Sequence, residues 1–135
     1  KNEIEENEII ITADTIVWCN GRVLGKPSGK DEAFEMIRIL SDNTHEVITG
    51  VTLLSQVKER TFSETTLVTF GPLTPEEITF YIENFKPYDK AGAYGIQEWI
   101  GLAACTRIEG SYFNVVGLPV QMLYRELLDF AKNMI

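Results

Sequence analysis

The feature that most constrains the fold is the segment of residues 8–19, EIIITADTIVWC, which is rich in β-branched side chains. The alternation of a strand places apolar side chains on both of its faces, with Ile9, Ile11, Ala13 and Val17 on one and Ile10, Ile16 and Trp18 on the other. A strand with two apolar faces is typical of the interior of a sheet that is covered on both sides. The segment therefore predicts a central strand, with Asp14 near its middle.

Local signals in the next fifty residues predict a hairpin, a helix and a strand pair. Asn20-Gly21 is a favoured hairpin dipeptide, so residues 22–24 are expected to pair with the first strand. Ser28 is predicted to cap a helix that extends to about Leu40, because apolar residues recur there at helical spacing. Residues 45–54 and 61–70 are predicted to form two long antiparallel strands.

The second half of the chain is predicted to contain three helices and a hairpin. Thr74-Pro75 followed by Glu77 is a capping box with a first-turn proline, and therefore predicts a helix start. Residues 98–104 are expected to form a short helix, residues 106–116 a hairpin that turns near positions 109 and 110, and residues 119–132 a final helix. The long connection at residues 86–97 contains two glycines and a proline, and is a candidate for function.

The composition indicates one globular domain over residues 1–135, of the α/β class with a mixed, twisted sheet flanked by helices. No apolar run approaches the ~20 residues that span a bilayer, and the first residues lack the layout of a signal peptide, so a cytoplasmic protein is expected. The net charge of −8 argues against nucleic acid and membranes as partners. Cys19 and Cys105 are expected to be reduced thiols.

Asp14 is the first candidate for chemistry. A carboxylate in the middle of a strand that is apolar on both faces costs several kcal/mol unless it is paired or coordinated. A structural salt bridge would satisfy it, and so would a catalytic or metal-binding role. The neighbouring Thr15 is equally compatible with strand propensity alone.

Lys26 is the second candidate, because it lies between Gly25 and Pro27 in a turn just before a predicted helix. An ammonium group near a helix N-terminus favours phosphate, since the backbone donors and the cation act together. The alternative is a solvated lysine in a turn.

The loop at residues 89–97, DKAGAYGIQ, combines four chemical features that few purely structural loops need. Asp89 could hold a cation between phosphates while Lys90 neutralises charge on them, and both functions serve phosphoanhydride cleavage. The amide of Gln97 could pair with the edge of a base. The alternative is that Asp89 and Lys90 only cap and solvate the turn.

His45, the single histidine, is expected to be a packed or edge residue.

Five ordered segments resemble the motifs of Maf proteins: Ala13-Asp14-Thr15; Gly25-Lys26-Pro27 with Glu32-Ala33; residues 45–51, HEVITGV; residues 89–97, DKAGAYGIQ; and residues 110–119, GSYFNVVGLP. The resemblance extends over nearly the whole chain. It implies the α/β fold of the inosine triphosphate pyrophosphatases, with a cleft between two lobes. It also implies a homodimer.

The Maf resemblance implies a nucleoside triphosphate pyrophosphatase that needs a divalent cation, Mg or Mn. Asp14 resembles the family's proton acceptor, Lys26 and Lys90 its phosphate-binding lysines, and Thr15 and Gln97 its substrate-discriminating positions. The DKAGxYGIQ loop resembles the branch that hydrolyses dTTP and UTP. A glutamine amide can both donate to and accept from the O4 and N3–H edge of a uracil or thymine ring, which gives this preference a physical basis.

One part of the Maf pattern has no counterpart in residues 1–135. The family begins with a strand and a Ser-x-Ser-Pro-Arg-Arg loop that holds the triphosphate, so the chain is expected to be the larger, C-terminal part of the fold. Two functions are therefore considered. One is the pyrophosphatase, and the other is a non-catalytic nucleotide-binding regulator linked to septum formation.

Overall fold

A computed structural model describes residues 4–132, which form a five-stranded sheet flanked by helices. The strands, in the spatial order β2-β1-β3-β4-β5, are β1 (Ile10–Cys19), β2 (Arg22–Leu24), β3 (Asn43–Leu54), β4 (Glu59–Phe70) and β5 (Cys105–Glu109). The helices are α1 (Lys30–Leu40), α2 (Pro75–Phe85), α3 (Trp99–Ala104), α4 (Tyr112–Val116) and α5 (Val120–Lys132), with a 3-10 turn at Ala91–Ala93. This architecture confirms the predicted α/β class.

The central strand of the sheet is β3, which pairs antiparallel with β1 on one edge and with β4 on the other. Its side chains alternate between buried and half-buried positions. The first part of the buried face packs with α1 and α2, and the second part, at Val51 and Leu53, packs with Leu123 and Phe130 of α5. One strand face thus supports two apolar clusters.

The predicted hairpin at Asn20-Gly21 is confirmed. Cys19 pairs with Arg22, and both turn residues have positive φ angles, 53° and 73°. A type I′ turn requires this left-handed conformation at both central positions, and Asn and Gly tolerate it best.

The helix signals were informative to different degrees. The capping box of α2 is confirmed, because Thr74 Oγ1 accepts from the Glu77 amide and the Glu77 carboxylate accepts from the Thr74 amide. The predicted cap at Ser28 is wrong: α1 begins after Gly29, and the Ser28 amide donates to Glu32 Oε1 at 2.6 Å. A side chain from within the helix thus satisfies the Ser28 amide, and the N-cap residue Gly29 has no side chain that could cap the first turn. Among residues 4–132, no helix has the length and apolarity needed to cross a bilayer.

The predicted hairpin at residues 106–116 is also wrong. Residues 105–109 form the edge strand β5, but the chain then turns into the short helix α4. Ser111 Oγ caps this helix by accepting from the Asn114 amide at 3.1 Å. The side chain of Asn114, fully buried, donates to the carbonyls of Val47 and Glu64 at 3.1 Å each. These long-range bonds favour a helix over the strand that Tyr112, Phe113 and the two valines after Asn114 would otherwise prefer.

Two expectations about the sheet need correction. All strand pairs among residues 4–132 are antiparallel, so the predicted mixed sheet is not observed there. The strand β1 is not covered throughout, because residues 11–14 are all exposed. The expected burial of the Asp14 carboxylate is therefore wrong.

The single histidine, His45, is packed inside the protein with only 1% of its surface exposed. Its Nε2 lies 2.6 Å from the hydroxyl of Tyr94, and its ring makes edge contacts with Phe70 and Tyr94. Burial lowers the pKa of His45 from 6.5 to about 4, because the imidazolium would have to leave water. The expectation of a packed histidine is confirmed.

The burial of His45 predicts a pH-dependent stability. The unfolded chain binds a proton at His45 below pH 6.5, whereas the folded chain resists protonation down to about pH 4. Burial of neutral His45 therefore makes its full contribution to the free energy of unfolding above pH 6.5. That contribution falls by about 2 kcal/mol between pH 7 and pH 5. Urea unfolding at both pH values measures this loss. The His45→Gln variant should show a loss smaller by most of that amount, and an equal loss in both proteins would contradict the assignment.

Candidate active site

A cleft of about 260 Å³ lies beside β1, and three of the segments that line it carry the residues singled out in the sequence. The first is β1 itself, the second is the connection from β2 to α1, and the third is the loop after α2. The structure brings all six residues singled out in the sequence to this cleft: Asp14, Thr15, Lys26, Asp89, Lys90 and Gln97. Their catalytic and binding roles stay predictions.

The strand β1 contributes an acid and a hydroxyl to the cleft. The side chain of Asp14 is exposed, so its carboxylate can meet a ligand directly. Thr15 is half-buried, and its Oγ1 lies 2.9 Å from Oγ1 of Thr49 and donates to the Gly117 carbonyl at 3.5 Å. The hydroxyl of Thr15 is thus fixed against the strand beside it and against the far wall of the cleft.

A main-chain hydrogen bond joins the two loops that supply the lysines. The amide of Gly92 donates to the carbonyl of Gly25 at 3.0 Å. Gly92 has a φ of 73° and packs so closely on β1 that a Cβ atom would lie 3.0 Å from Cγ2 of Val17. Glycine is therefore needed at position 92 for both its conformation and its size. The bond places Lys26 and Lys90 on adjoining segments of one wall.

The charged groups of the loop form a short chain of ion pairs. The Nζ atom of Lys90 lies 3.3 Å from Oδ1 of Asp89 and 3.9 Å from Oε2 of Glu98. The pKa of Asp89 is lowered, first by a hydrogen bond from its own backbone amide, then by Lys90, and more weakly by the charge of Lys26. Both lysines thus favour the ionised form of Asp89.

A buried tyrosine holds the carboxylate of Glu98 by a hydrogen bond. The hydroxyl of Tyr81 donates to Glu98 Oε1 and accepts from the amide of Gly95 at 3.0 Å. Tyr81 is fully buried, and burial together with the hydrogen bond to the carboxylate raises its pKa, so the phenol remains neutral. Neither Tyr81 nor Glu98 was among the predicted site residues. Nothing local in the sequence connects Tyr81 to position 98.

The opposite wall of the cleft comes from the end of α4, at Val115, Val116 and Gly117. The buried Asn114 fixes this helix to β3 and β4 through the hydrogen bonds of its side-chain amide. A further side-chain amide, that of Gln97, is exposed and lines the cleft. The cleft therefore has charged groups along one wall and apolar groups along the other.

The carboxylate of Asp89, which lines the cleft, is the group that would hold a divalent cation. Magnesium is commonly bound by one or two carboxylates together with the phosphate oxygens of a substrate, so this donor set fits a cation that arrives with a nucleotide. Among residues 4–132, no group of three or more His, Cys, Asp or Glu side chains converges as a metal site. Lys26 and Lys90 add two ammonium groups suited to phosphate.

Comparison of the sequence with known proteins identifies a family. The family model described as Maf-like protein matches residues 1–130. A dTTP/UTP pyrophosphatase of Porphyromonas gingivalis is 51% identical over 133 residues, which are 98% of this chain and 67% of the relative. The dTTP/UTP pyrophosphatase of Phocaeicola vulgatus is 57% identical over 127 residues, 94% of this chain and 66% of the relative.

A third relative, the dTTP/UTP pyrophosphatase of Flavobacterium johnsoniae, is 52% identical over 127 residues, again 94% of this chain and 66% of the relative. The chain thus spans about two thirds of the length of these curated relatives. The match over residues 1–130 confirms the resemblance that the five ordered motifs indicated. The chain belongs to the family of Maf-like proteins.

Proposed function

We propose that this chain carries the catalytic cleft of a nucleoside triphosphate pyrophosphatase that hydrolyses dTTP and UTP to the monophosphate and pyrophosphate. The observation that carries the proposal is the convergence of Asp14, Thr15, Lys26, Asp89, Lys90 and Gln97 on one cleft from three segments. Relatives named dTTP/UTP pyrophosphatase, 51% and 57% identical to this chain, support the same activity.

The chemistry assigned to Asp14 is proton acceptance. Its carboxylate takes a proton from the attacking water as the new P–O bond forms, and the bond between the α phosphorus and the bridging oxygen breaks. Pyrophosphate leaves with the bonding electron pair. The exposure of Asp14 suits this role, since the acid meets both water and substrate directly.

The phosphates are bound by Lys26 and Lys90, whose loops are joined by the bond from Gly92 to Gly25. Two ammonium groups on one wall offset the charge of a triphosphate in a protein whose net charge is −8. Asp89 would hold a divalent cation, which supplies charge neutralisation of the phosphate oxygens when it is bound.

The base is read by Gln97. Its exposed amide ends the loop that begins at Asp89, and it can donate to O4 and accept from N3–H of a pyrimidine ring. Cytosine reverses both groups, so one orientation of the amide cannot satisfy both kinds of ring. Thr15, fixed by Thr49 and Gly117, is the second group assigned to substrate discrimination.

The first prediction is that Asp14 serves chemistry and contributes little to stability, because it is exposed. We expect Asp14→Asn to lower the turnover of dTTP by roughly 10²-fold or more, as removal of a general base does. Its melting temperature should stay near that of the wild type. Asp42→Asn, at an exposed position outside the cleft, is the matched control and should retain full turnover. Near-normal turnover in Asp14→Asn would remove this residue from the mechanism.

The second prediction concerns the cation and the lysines. A chelator should abolish the release of pyrophosphate, and Mg²⁺ or Mn²⁺ should restore it, because the phosphate charges must be neutralised. Lys26→Ala and Lys90→Ala should raise KM, whereas Lys30→Ala, in an exposed ion pair with Glu83, should not. Full activity in the chelator, or orthophosphate as the first product, would contradict the mechanism. Nucleotide binding without any product would favour the non-catalytic regulator.

The third prediction concerns base choice. We expect kcat/KM to be highest for dTTP and UTP among dTTP, UTP, CTP, dATP and 7-methyl-GTP. Gln97→Ala should reduce this preference by roughly ten- to a hundredfold, because mismatched polar groups then no longer penalise the wrong base. Gln56→Ala, which changes an exposed glutamine outside the cleft, should leave the ranking unaltered. An unaltered ranking in Gln97→Ala would refute the role of Gln97.

A further inference from the structure

The connection between Tyr81, Glu98 and Lys90 continues the site into the protein interior. Glu98 is three-quarters buried, with 27% of its side chain exposed, and its two carboxylate oxygens face different partners. Oε1 accepts from the buried Tyr81 hydroxyl, and Oε2 lies 3.9 Å from Nζ of Lys90. The carboxylate therefore bridges a rigid donor in α2 and a cation that lines the cleft.

The aliphatic part of Lys90 is confined as well. A Cβ atom at Gly95 would lie 2.8 Å from Cε of Lys90 and 3.3 Å from the carboxyl carbon of Glu98. The lysine side chain thus passes directly over the Gly95 backbone, whose amide is bound to the same Tyr81 hydroxyl. Lys90 is held by contacts at its stem and at its charged end.

We propose that Glu98, oriented by Tyr81, is a positioning residue that keeps the Lys90 ammonium at the phosphate-binding wall of the cleft. The inference rests on the proposed function for its substrate, a nucleoside triphosphate. Lys90 has two acidic neighbours, and the protein holds one of them more firmly than the other. Asp89 is largely exposed and is assigned to the cation, whereas Glu98 is fixed by the Tyr81 hydroxyl. When the cation that accompanies a triphosphate binds Asp89, Glu98 still holds Lys90 in place.

The sign of the effect distinguishes positioning from simple charge. Glu98 is itself an anion near the phosphate site, so removal of its charge would tighten triphosphate binding if only Coulomb repulsion mattered. Positioning predicts the reverse, because an unrestrained lysine loses more conformational freedom when it binds. The two effects therefore have opposite signs in one measurement.

The test uses Glu98→Gln, which keeps an acceptor for Tyr81 and removes the charge that faces Lys90. The probe is α,β-methylene-UTP with Mg²⁺, in which the scissile oxygen is replaced by carbon, and calorimetry gives its Kd. We expect Kd to rise about three- to tenfold in Glu98→Gln and more in Lys90→Ala. The double variant should equal Lys90→Ala within about twofold, because Glu98 acts through Lys90.

A second readout needs no nucleotide. Acetylation of lysines by a water-soluble reagent, followed by peptide mass spectrometry, should modify Lys90 about threefold faster in Glu98→Gln, because the ammonium loses a restraining partner. Glu83→Gln is the matched control, since Glu83 pairs with Lys30 at 2.8 Å outside the cleft. It should accelerate the modification of Lys30 and leave Lys90 and the Kd unchanged.

The outcomes separate this inference from the proposed function. An unchanged or lower Kd in Glu98→Gln, additive effects in the double variant, or unchanged Lys90 labelling would each overturn the positioning role. Failure of the wild-type protein to bind the analogue would instead overturn the proposed function, and with it the role in phosphate binding. The labelling result would still measure the contact between Glu98 and Lys90.

Discussion

The two-sided pairing of β3 is the constraint on which the rest of the structure depends. Every residue of this strand has a partner in β4, and most have one in β1, so its register fixes which side chains enter the core. A shift by one residue would exchange the buried and half-buried faces of β3. The same register places Thr15 beside Thr49 and leaves Asp14 opposite Gly50, where no side chain competes with the carboxylate for space. The sheet therefore positions the acid as well as the core.

The helices relate to this sheet through a few directional contacts. Asn114 joins α4 to the backbones of β3 and β4, and the valines that follow it form one wall of the cleft. Removal of a fully buried amide would leave strand carbonyls without partners at a cost of about 1–3 kcal/mol. Tyr81 has the same function on the opposite wall, because its hydroxyl links α2 to Gly95 and Glu98. Both walls thus depend on buried polar groups.

Local signals predicted most of the elements, and non-local contacts account for the failures. The turn at Asn20-Gly21 and the capping box of α2 depend only on neighbours in the chain, so both were predicted correctly. The helix α4 depends on bonds from Asn114 to residues about fifty and more positions away, and β propensity was misleading there. The exposure of Asp14 depends on which distant segments cover the faces of β1, and alternation along the strand cannot reveal this.

The candidate site shows the same difference between residues in local motifs, which were predicted, and residues defined by distant contacts, which were not. The six predicted residues could be found because they occur in compact motifs, and the structure brings them to one cleft. Glu98 was not found, because its partner Tyr81 is seventeen residues away and looks like an ordinary core residue in the sequence. A carboxylate next to a motif is not informative until its neighbours in space are known. The residues at the end of α4 that line the cleft could not be predicted either, because valine and glycine have no functional group that indicates a site.

The backbone bond between Gly92 and Gly25 has a consequence for how the cleft can vary. It joins main-chain atoms, so a substitution elsewhere than at Gly92 leaves its donor and acceptor in place, whereas an insertion or deletion would break its alignment. The separation of Lys26 and Lys90 is therefore coupled to loop length more than to loop composition. The bond opposes separation of the two backbones, so a shift of one loop displaces the segment that carries the other lysine as well.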